Sequence, residues 1–199
     1  MRVLDRSLSR LPRPLRTLVD WALTITLAVV GILLFQAEVA KPYRIPSASM
    51  EPTLHCAKPA AGCRSRFSDR VIANRLVYRL HDPRRGDIVV FKTPERVKAA
   101  CDADGTFIKR ILGLPGEQVS MRNGHVLIDG MRLDEPYLRP AFRGQESGVW
   151  GQIPKDRYFV LGDNRTMSCD SRRWGAVPRD NIIGRAELTY WPPTRAGQP

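Results

Sequence analysis

Fifteen consecutive positions, Trp21 to Phe35, carry no charge, and the polar side chains among them are Thr24 and Thr26. Continued to Ala40, the run takes in Gln36 and Glu38 and reaches 20 residues. As α-helix these span about 30 Å, the thickness of a bilayer's hydrocarbon core. A buried core helix, a cleavable signal peptide and a membrane anchor all begin this way. Nothing further along the chain offers an apolar partner layer for such a helix. A signal-peptide cut needs small residues at −3 and −1, but ending at Ala40 puts Glu38 at −3 and ending at Ala37 puts Phe35 there. The pattern therefore predicts a membrane anchor over residues 20–40.

Beyond Ala40 the hydrophobic period shortens to two. Short runs rich in β-branched and aromatic residues alternate with Gly, Pro, Asn and Asp, which predicts strands near Arg70–Val77, Asp87–Phe91, Thr106–Leu112, Glu117–Met121, His125–Ile128, Tyr158–Leu161 and Ile182–Trp191. Asn123-Gly124 reads as a two-residue hairpin turn and Asp129-Gly130 as another turn. No long 3.6-period stripe follows Ala40, so helix there should be scarce. The expected class is mainly β, an antiparallel sheet or barrel-like domain over 41–191 preceded by one N-terminal transmembrane helix. Residues 192–199 read as a frayed polar tail.

Charge orients this arrangement. Arg2, Arg6, Arg10, Arg13 and Arg16 stand against Asp5 and Asp20 in the first 20 residues. Basic flanks stay inside, so residues 1–19 should lie in the cytoplasm and residues from 41 onward outside the plasma membrane. The net charge of +12 raises an anionic membrane or a nucleic acid as partner. No motif for bases or phosphates accompanies it, so a solvated basic face near membrane lipids is expected, and no nucleic acid. An exported domain permits disulfides. Cys56 and Cys63 close a short loop and can pair, leaving Cys101 and Cys169 for each other, although four cysteines allow three connectivities. The spacing is not a C-x-x-C pair and no histidine stands at ligand spacing from it, so no metal and no cofactor is expected.

Two segments can carry chemistry. Pro46-Ser47-Ala48-Ser49-Met50-Glu51-Pro52 holds two serines between prolines that fix φ; a Ser/Pro linker leaving the membrane fits it equally well. It is no G-x-S-x-G elbow. His55, His81 and His125 lie outside any segment that resembles a site, which leaves lysine as the base. In Thr106–Leu112, Phe107, Lys109 and Ile111 share one strand face. Only roughly one lysine in 2,500 is neutral at pH 7, an obstacle of about 4.6 kcal/mol. Burial lowers a lysine pKa by up to ~3–5 units, after which the amine can accept a serine proton. A snorkelling or salt-bridged Lys109 is the competing reading. The other face (Ile108, Arg110, Leu112) is equally well patterned, and periodicity does not choose between them.

Four blocks in order, Pro46 to Leu54, Gly86 to Phe91, Lys109 to Glu117, and Gly162-Asp163-Asn164-Arg165 through Ser168-Cys169-Asp170-Ser171-Arg172, resemble the ordered boxes of type I signal peptidases. The Cys-bearing loop from His55 to Arg70 resembles actinobacterial members. The resemblance implies a serine endopeptidase with Ser49 as nucleophile and Lys109 as general base. It implies that Ser47 helps the Ser49 N–H form the oxyanion hole and that Ser168 orients the lysine amine. Asp170 and Arg172 would form a structural pair, joined by Arg110. Tyr43, Ile45, Phe107 and Ile108, with Pro46 and Met50 beside them, would wall shallow substrate pockets. Thr166 stands where the family often has Asp, which touches only a local turn interaction. Exported preproteins would be the substrates, and the enzyme would be monomeric.

Chain reach agrees with that reading, because Ser49 lies nine residues past Ala40 and so within about 30 Å of the bilayer surface. A Ser/Lys protease of another specialty, such as a pilus-processing or self-cleaving repressor-like protein, and a non-enzymatic anchored β-domain are the competing functions. The anchor and the missing DNA-binding segment oppose the repressor. The joint presence of Ser49, Lys109 and Ser168 opposes a dead domain.

Overall fold

The computed structural model describes residues 12–199, so Arg2, Arg6 and Arg10 lie outside the described residues. The chain divides between Val39 and Ala40 into two units. The first holds helix α1 (Arg13–Glu38). Its segment Pro14–Leu33 has a mean hydropathy of 1.6 and is long and apolar enough to cross a membrane. Helix starts before Trp21 because nothing from Arg13 onward breaks it, Pro14 standing in the first turn where a missing N–H costs nothing.

The second unit is antiparallel β. A seven-stranded sheet has the order β1-β2-β11-β3-β4-β9-β10, built from β1 (Ala40–Arg44), β2 (Arg70–Asn74), β3 (Ile88–Lys92), β4 (Thr106–Gly113), β9 (Arg157–Leu161), β10 (Val177–Pro178) and β11 (Ile182–Trp191). A four-stranded sheet, β7-β6-β5-β8, comprises β5 (Gln118–Arg122), β6 (His125–Ile128), β7 (Met131–Arg132) and β8 (Gly148–Gln152). Longer than a 3₁₀ turn, helix in this unit is confined to α2 (Val77–Leu80), α3 (Arg96–Cys101), α4 (Pro140–Arg143) and α5 (Ser171–Trp174). The predicted strand at Arg70–Val77 stops at Asn74, where the Asn74 side chain accepts from the Leu76 and Val77 N–H groups and turns the chain into α2.

Asn123 and Gly124 both have positive φ (49° and 76°), as a hairpin turn of two residues between β5 and β6 requires. Strand β1 has no apolar alternation, and Lys41 and Pro42 hide it from pattern reading. It stands at the sheet edge, where a residue without an N–H is tolerated. The expected frayed tail is corrected. Thr189 and Gly197 exchange backbone hydrogen bonds of 2.8 and 3.0 Å, and Arg195 donates to the buried carboxylate of Asp69. A buried charge holds its counter-ion, and the chain end follows.

Strand β4 organises the interior. Ile111 packs with Val89, Phe91 and Val160, Ile108 borders the cluster of Ile45, Met50, Leu54 and Val71, and Leu112 joins Val119, Phe159 and Leu161. β4 is paired on both edges, with β3 and β9, and is covered on both faces. Its two faces were indistinguishable in sequence because both are buried.

Candidate active site

Pro46 and Pro52 flank a single 3₁₀ turn, Ala48–Met50. Glu51 N donates to Ala48 O at 3.1 Å and Leu54 N to Met50 O at 2.9 Å. The Ala48, Met50 and Leu54 side chains insert into the cluster around Ile45, Val71 and Ile88, so apolar packing fixes the turn from beneath. Met50 is fully buried there. This corrects its expected place on a pocket wall, since its side chain anchors the loop and leaves no surface for a substrate.

Polar contacts hold the same segment. The buried Glu51 carboxylate lies 2.6 Å from His55 Nδ1 and accepts from Cys56 N at 3.3 Å. Thr53 donates its hydroxyl to Asp163 at 2.6 Å, and Asn164 N donates to Ser49 O at 3.0 Å. Gly162 allows this closeness. A Cβ on it would sit 2.4 Å from Ser49 O and 2.3 Å from Ser168 Oγ.

From β4, Lys109 reaches the turn. Its Nζ donates to Ser49 Oγ at 2.7 Å and to Ile108 O at 3.0 Å, and lies 5.2 Å from the centre of the Phe107 ring. The side chain is buried, and burial lowers its pKa from 10.5 to about 8, against the charges of Asp170 and Asp163, which raise it. Near pH 7 roughly one lysine in ten is then neutral, and the obstacle shrinks to about 1.4 kcal/mol. A neutral amine at this distance can take the hydroxyl proton. Ser47 Oγ is 3.3 Å from Ser49 Oγ and exposed. His55 is engaged with Glu51, His125 Nδ1 is 3.0 Å from Arg143 Nη1, and His81 is exposed; none reaches Ser49.

Ionic pairs frame the site. Arg110 grips Asp163 through two nitrogens at 3.0 and 2.7 Å. Burial alone would lower the Arg110 pKa, but Asp163 raises it through hydrogen bonding and charge. Asp170 receives Arg172 at 2.8 and 2.9 Å and also the Gly162 N–H at 3.1 Å. The expected joining of Arg110 to the Asp170–Arg172 pair is thus corrected, because Arg110 has its own buried carboxylate in Asp163. Ser168 does not meet the lysine amine as expected. Lys109 Nζ is turned to Ser49 and the Ile108 carbonyl, while Ser168 Oγ lies against Gly162 and makes no hydrogen bond among the described residues. Thr166 donates to Asn164 Oδ1 at 2.9 Å, a local turn contact.

Beside the two side chains runs a groove of about 400 Å³, lined by Tyr43, Ile45, Pro46, Ser47, Ser49, Phe107, Ile108 and Lys109. Sequence reading missed its other lining residues, among them Val90, Asp104, Met167 and Cys169. Asp163 and Thr53 were missed as well, although Asp163 stands in a Gly-Asp-Asn-Arg turn after an apolar strand, which is a signal for a structured loop. Glu135, buried against Arg165, has no signal. The cysteines pair as Cys56–Cys63 and Cys101–Cys169.

A family model described as "Signal peptidase, peptidase S26" matches residues 18–191. The probable signal peptidase I-2 of Synechocystis is 42% identical over 186 residues, covering 92% of this chain and 78% of that protein. Signal peptidase I of Leptolyngbya laminosa is 42% identical over 190 residues, covering 94% and 86%. Signal peptidase I of Mycobacterium tuberculosis is 32% identical over 233 aligned positions, covering 94% and 77%.

Proposed function

The chain belongs to the signal peptidase family, peptidase S26, and on that premise we propose that Ser49 is its nucleophile and Lys109 its general base. The protein is a serine endopeptidase that cleaves signal peptides from preproteins. The observation that supports the dyad is the 2.7 Å approach of the buried Lys109 Nζ to Ser49 Oγ.

Neutral Lys109 takes the hydroxyl proton as Ser49 Oγ bonds to the scissile carbonyl carbon. The Ser49 N–H and the Ser47 hydroxyl receive the developing oxyanion. Lys109 returns the proton to the leaving amine nitrogen, the C–N bond breaks, and the signal peptide stays esterified to Ser49. Water then gives its proton to Lys109 and attacks the ester. Ser49 leaves with a proton, and both residues are restored.

The substrate lies extended along Tyr43–Pro46 and Phe107–Ile108, with small side chains at −1 and −3 in the groove. Residues 20–40 anchor the enzyme and 1–19 stay in the cytoplasm. Residues 41–191 act outside the plasma membrane against anionic lipids, with 192–199 closing the domain. One chain carries both dyad residues, so a monomer has a complete site. The His55–Arg70 loop favours an actinobacterial kind of enzyme, while identity is higher to the cyanobacterial relatives.

Mass spectrometry of the product released from a preprotein bearing A-x-A tests the dyad. Wild type should cut once, after the second alanine, and Ser49→Ala should yield no product. The same product from Ser49→Ala would sink the assignment.

A further inference from the structure

Segments closed by both disulfides meet at one wall of the groove. Met167 and Cys169 line it, in the segment that ends the 3₁₀ turn Arg165–Met167. Cys169 is bonded to Cys101 at the end of α3, and Ala103, Asp104 and Thr106, which follow Cys101, line the groove too. On its other side Met167 meets the loop closed by Cys56–Cys63. A Cβ built on Gly62 would lie 2.4 Å from Met167 Sδ, 2.6 Å from its Cε and 2.9 Å from Ala48 Cβ. The loop therefore touches the groove wall and the neighbour of Ser49 at one point. Gly62 has φ +74°, so the position suits glycine by conformation as well as by space.

Polar contacts tie this loop to its surroundings. His55 N donates to the buried Asp69 at 2.8 Å, Ala57 N donates to Ser68 Oγ at 3.0 Å, and Cys63 N donates to Ala60 O at 3.0 Å. Methionine is unbranched and fills whatever space it is given. A half-exposed Met167 keeps one position only where its surroundings hold it. Backed by Gly62 and tethered two residues on through Cys169, it presents a fixed apolar surface to the groove.

We propose that Met167 limits the size of the substrate side chain accepted beside Ser49, and that the two disulfide-closed segments hold it in that position. The proposal rests on the reading of Ser49 and Lys109 as the dyad. Met167 is a specificity-determining residue, Cys169 lines the groove beside it and tethers it, and Gly62, Cys56, Cys63 and Cys101 are positioning residues that act through them. It follows that selectivity, as well as stability, depends on an oxidised protein.

The test measures kcat and KM separately for an A-x-A preprotein and for its Ala→Leu counterparts at −1 and −3. The enzymes are full-length wild type, Met167→Ala, Cys56→Ser/Cys63→Ser and Cys101→Ser/Cys169→Ser, with folding checked by circular dichroism. Met167→Ala should narrow the Ala-over-Leu ratio of kcat/KM at one of the two positions by roughly tenfold, the discrimination a methylene or two supplies in an apolar pocket. Each cysteine-pair variant should narrow the ratio at the same position. An unchanged ratio in Met167→Ala overturns the size limit. An unchanged ratio in both folded cysteine-pair variants, with Met167→Ala changed, overturns the positioning role. Should a cysteine-pair variant fail to fold, the ratio is measured on folded wild type before and after mild reduction, and an unchanged ratio counts against that role. Ser49→Ala runs in parallel. Cleavage by Ser49→Ala would bring down the dyad, whereas the ratios report on Met167 separately.

Discussion

Thr53, four residues beyond Ser49, donates its hydroxyl to Asp163 at 2.6 Å, and the same carboxylate receives two Arg110 nitrogens at 3.0 and 2.7 Å. One buried group thus ties the nucleophile loop to the strand that carries Lys109. Asp163 is also one of the two charges that raise the Lys109 pKa against burial.

That double role gives a prediction for Asp163→Asn. The amide oxygen can still accept from Thr53, but Arg110 is left as a buried cation without a counter-ion, at a cost of about 3–5 kcal/mol. Removing a negative charge near Lys109 lowers its pKa further. The variant should therefore melt at lower temperature, while the acid limb of its pH–rate curve moves to lower pH. Thermal unfolding and a pH profile of kcat/KM on a preprotein check both effects. An acid limb that stays in place or moves upward would contradict the electrostatic link.

Ser47 and Ser49 lie 3.3 Å apart through their hydroxyls, yet only Ser49 meets Lys109. Ser49→Ala should abolish cleavage and leave the fold intact. Ser47→Ala should retain chemistry and lose about 10²–10³ in kcat, the effect of one oxyanion donor. Single-turnover rates separate the two variants. A loss in Ser47→Ala as complete as that in Ser49→Ala would mean that the two roles are exchanged.

What could be read from the chain divides along physical lines. The apolar run after Trp21, the strand runs and the Asn123-Gly124 turn are local in cause, and the structure has each of them. β1 escaped because Lys41 and Pro42 sit on an edge strand, where pairing with β2 alone keeps the chain extended. Lys109 was visible as a candidate, but alternation could not say which face of β4 it shared with the core, since both faces are buried. Partner choice was the least visible. Arg110 selects Asp163, 53 positions away, and Met50 turns inward, because the packing of distant segments decides both. The Met167 wall was invisible for the same reason, since it depends on Gly62, far along the chain.

Lys109 carries the last prediction, because its burial has consequences for both rate and stability. With a pKa of about 8, the rate should rise roughly tenfold per pH unit below 8 and level off above it. Stability follows the same group. Above the unfolded value of 10.5 the lysine is neutral in both states and contributes no penalty. Between 10.5 and about 8 the unfolded lysine takes up a proton that the buried one refuses, so stability is lost as pH falls across that window, reaching about 3 kcal/mol below 8, where the folded protein holds a buried ammonium. Lys109→Met removes that penalty and forfeits two hydrogen bonds of about 1 kcal/mol each. It should therefore be inactive, yet more stable than wild type at pH 6 by on the order of 1 kcal/mol, and less stable by about 2 kcal/mol at pH 11, where only the lost hydrogen bonds count. Lys109→Arg should be inactive too, since a guanidinium stays charged. Chemical denaturation at the two pH values, alongside cleavage assays, reads all of this. A folded Lys109→Arg enzyme cutting at a near-normal rate would refute the dyad and return His55, His81 and His125 to consideration. A Lys109→Met variant clearly weaker than wild type at pH 6 would show that the wild-type amine is better solvated than its burial implies.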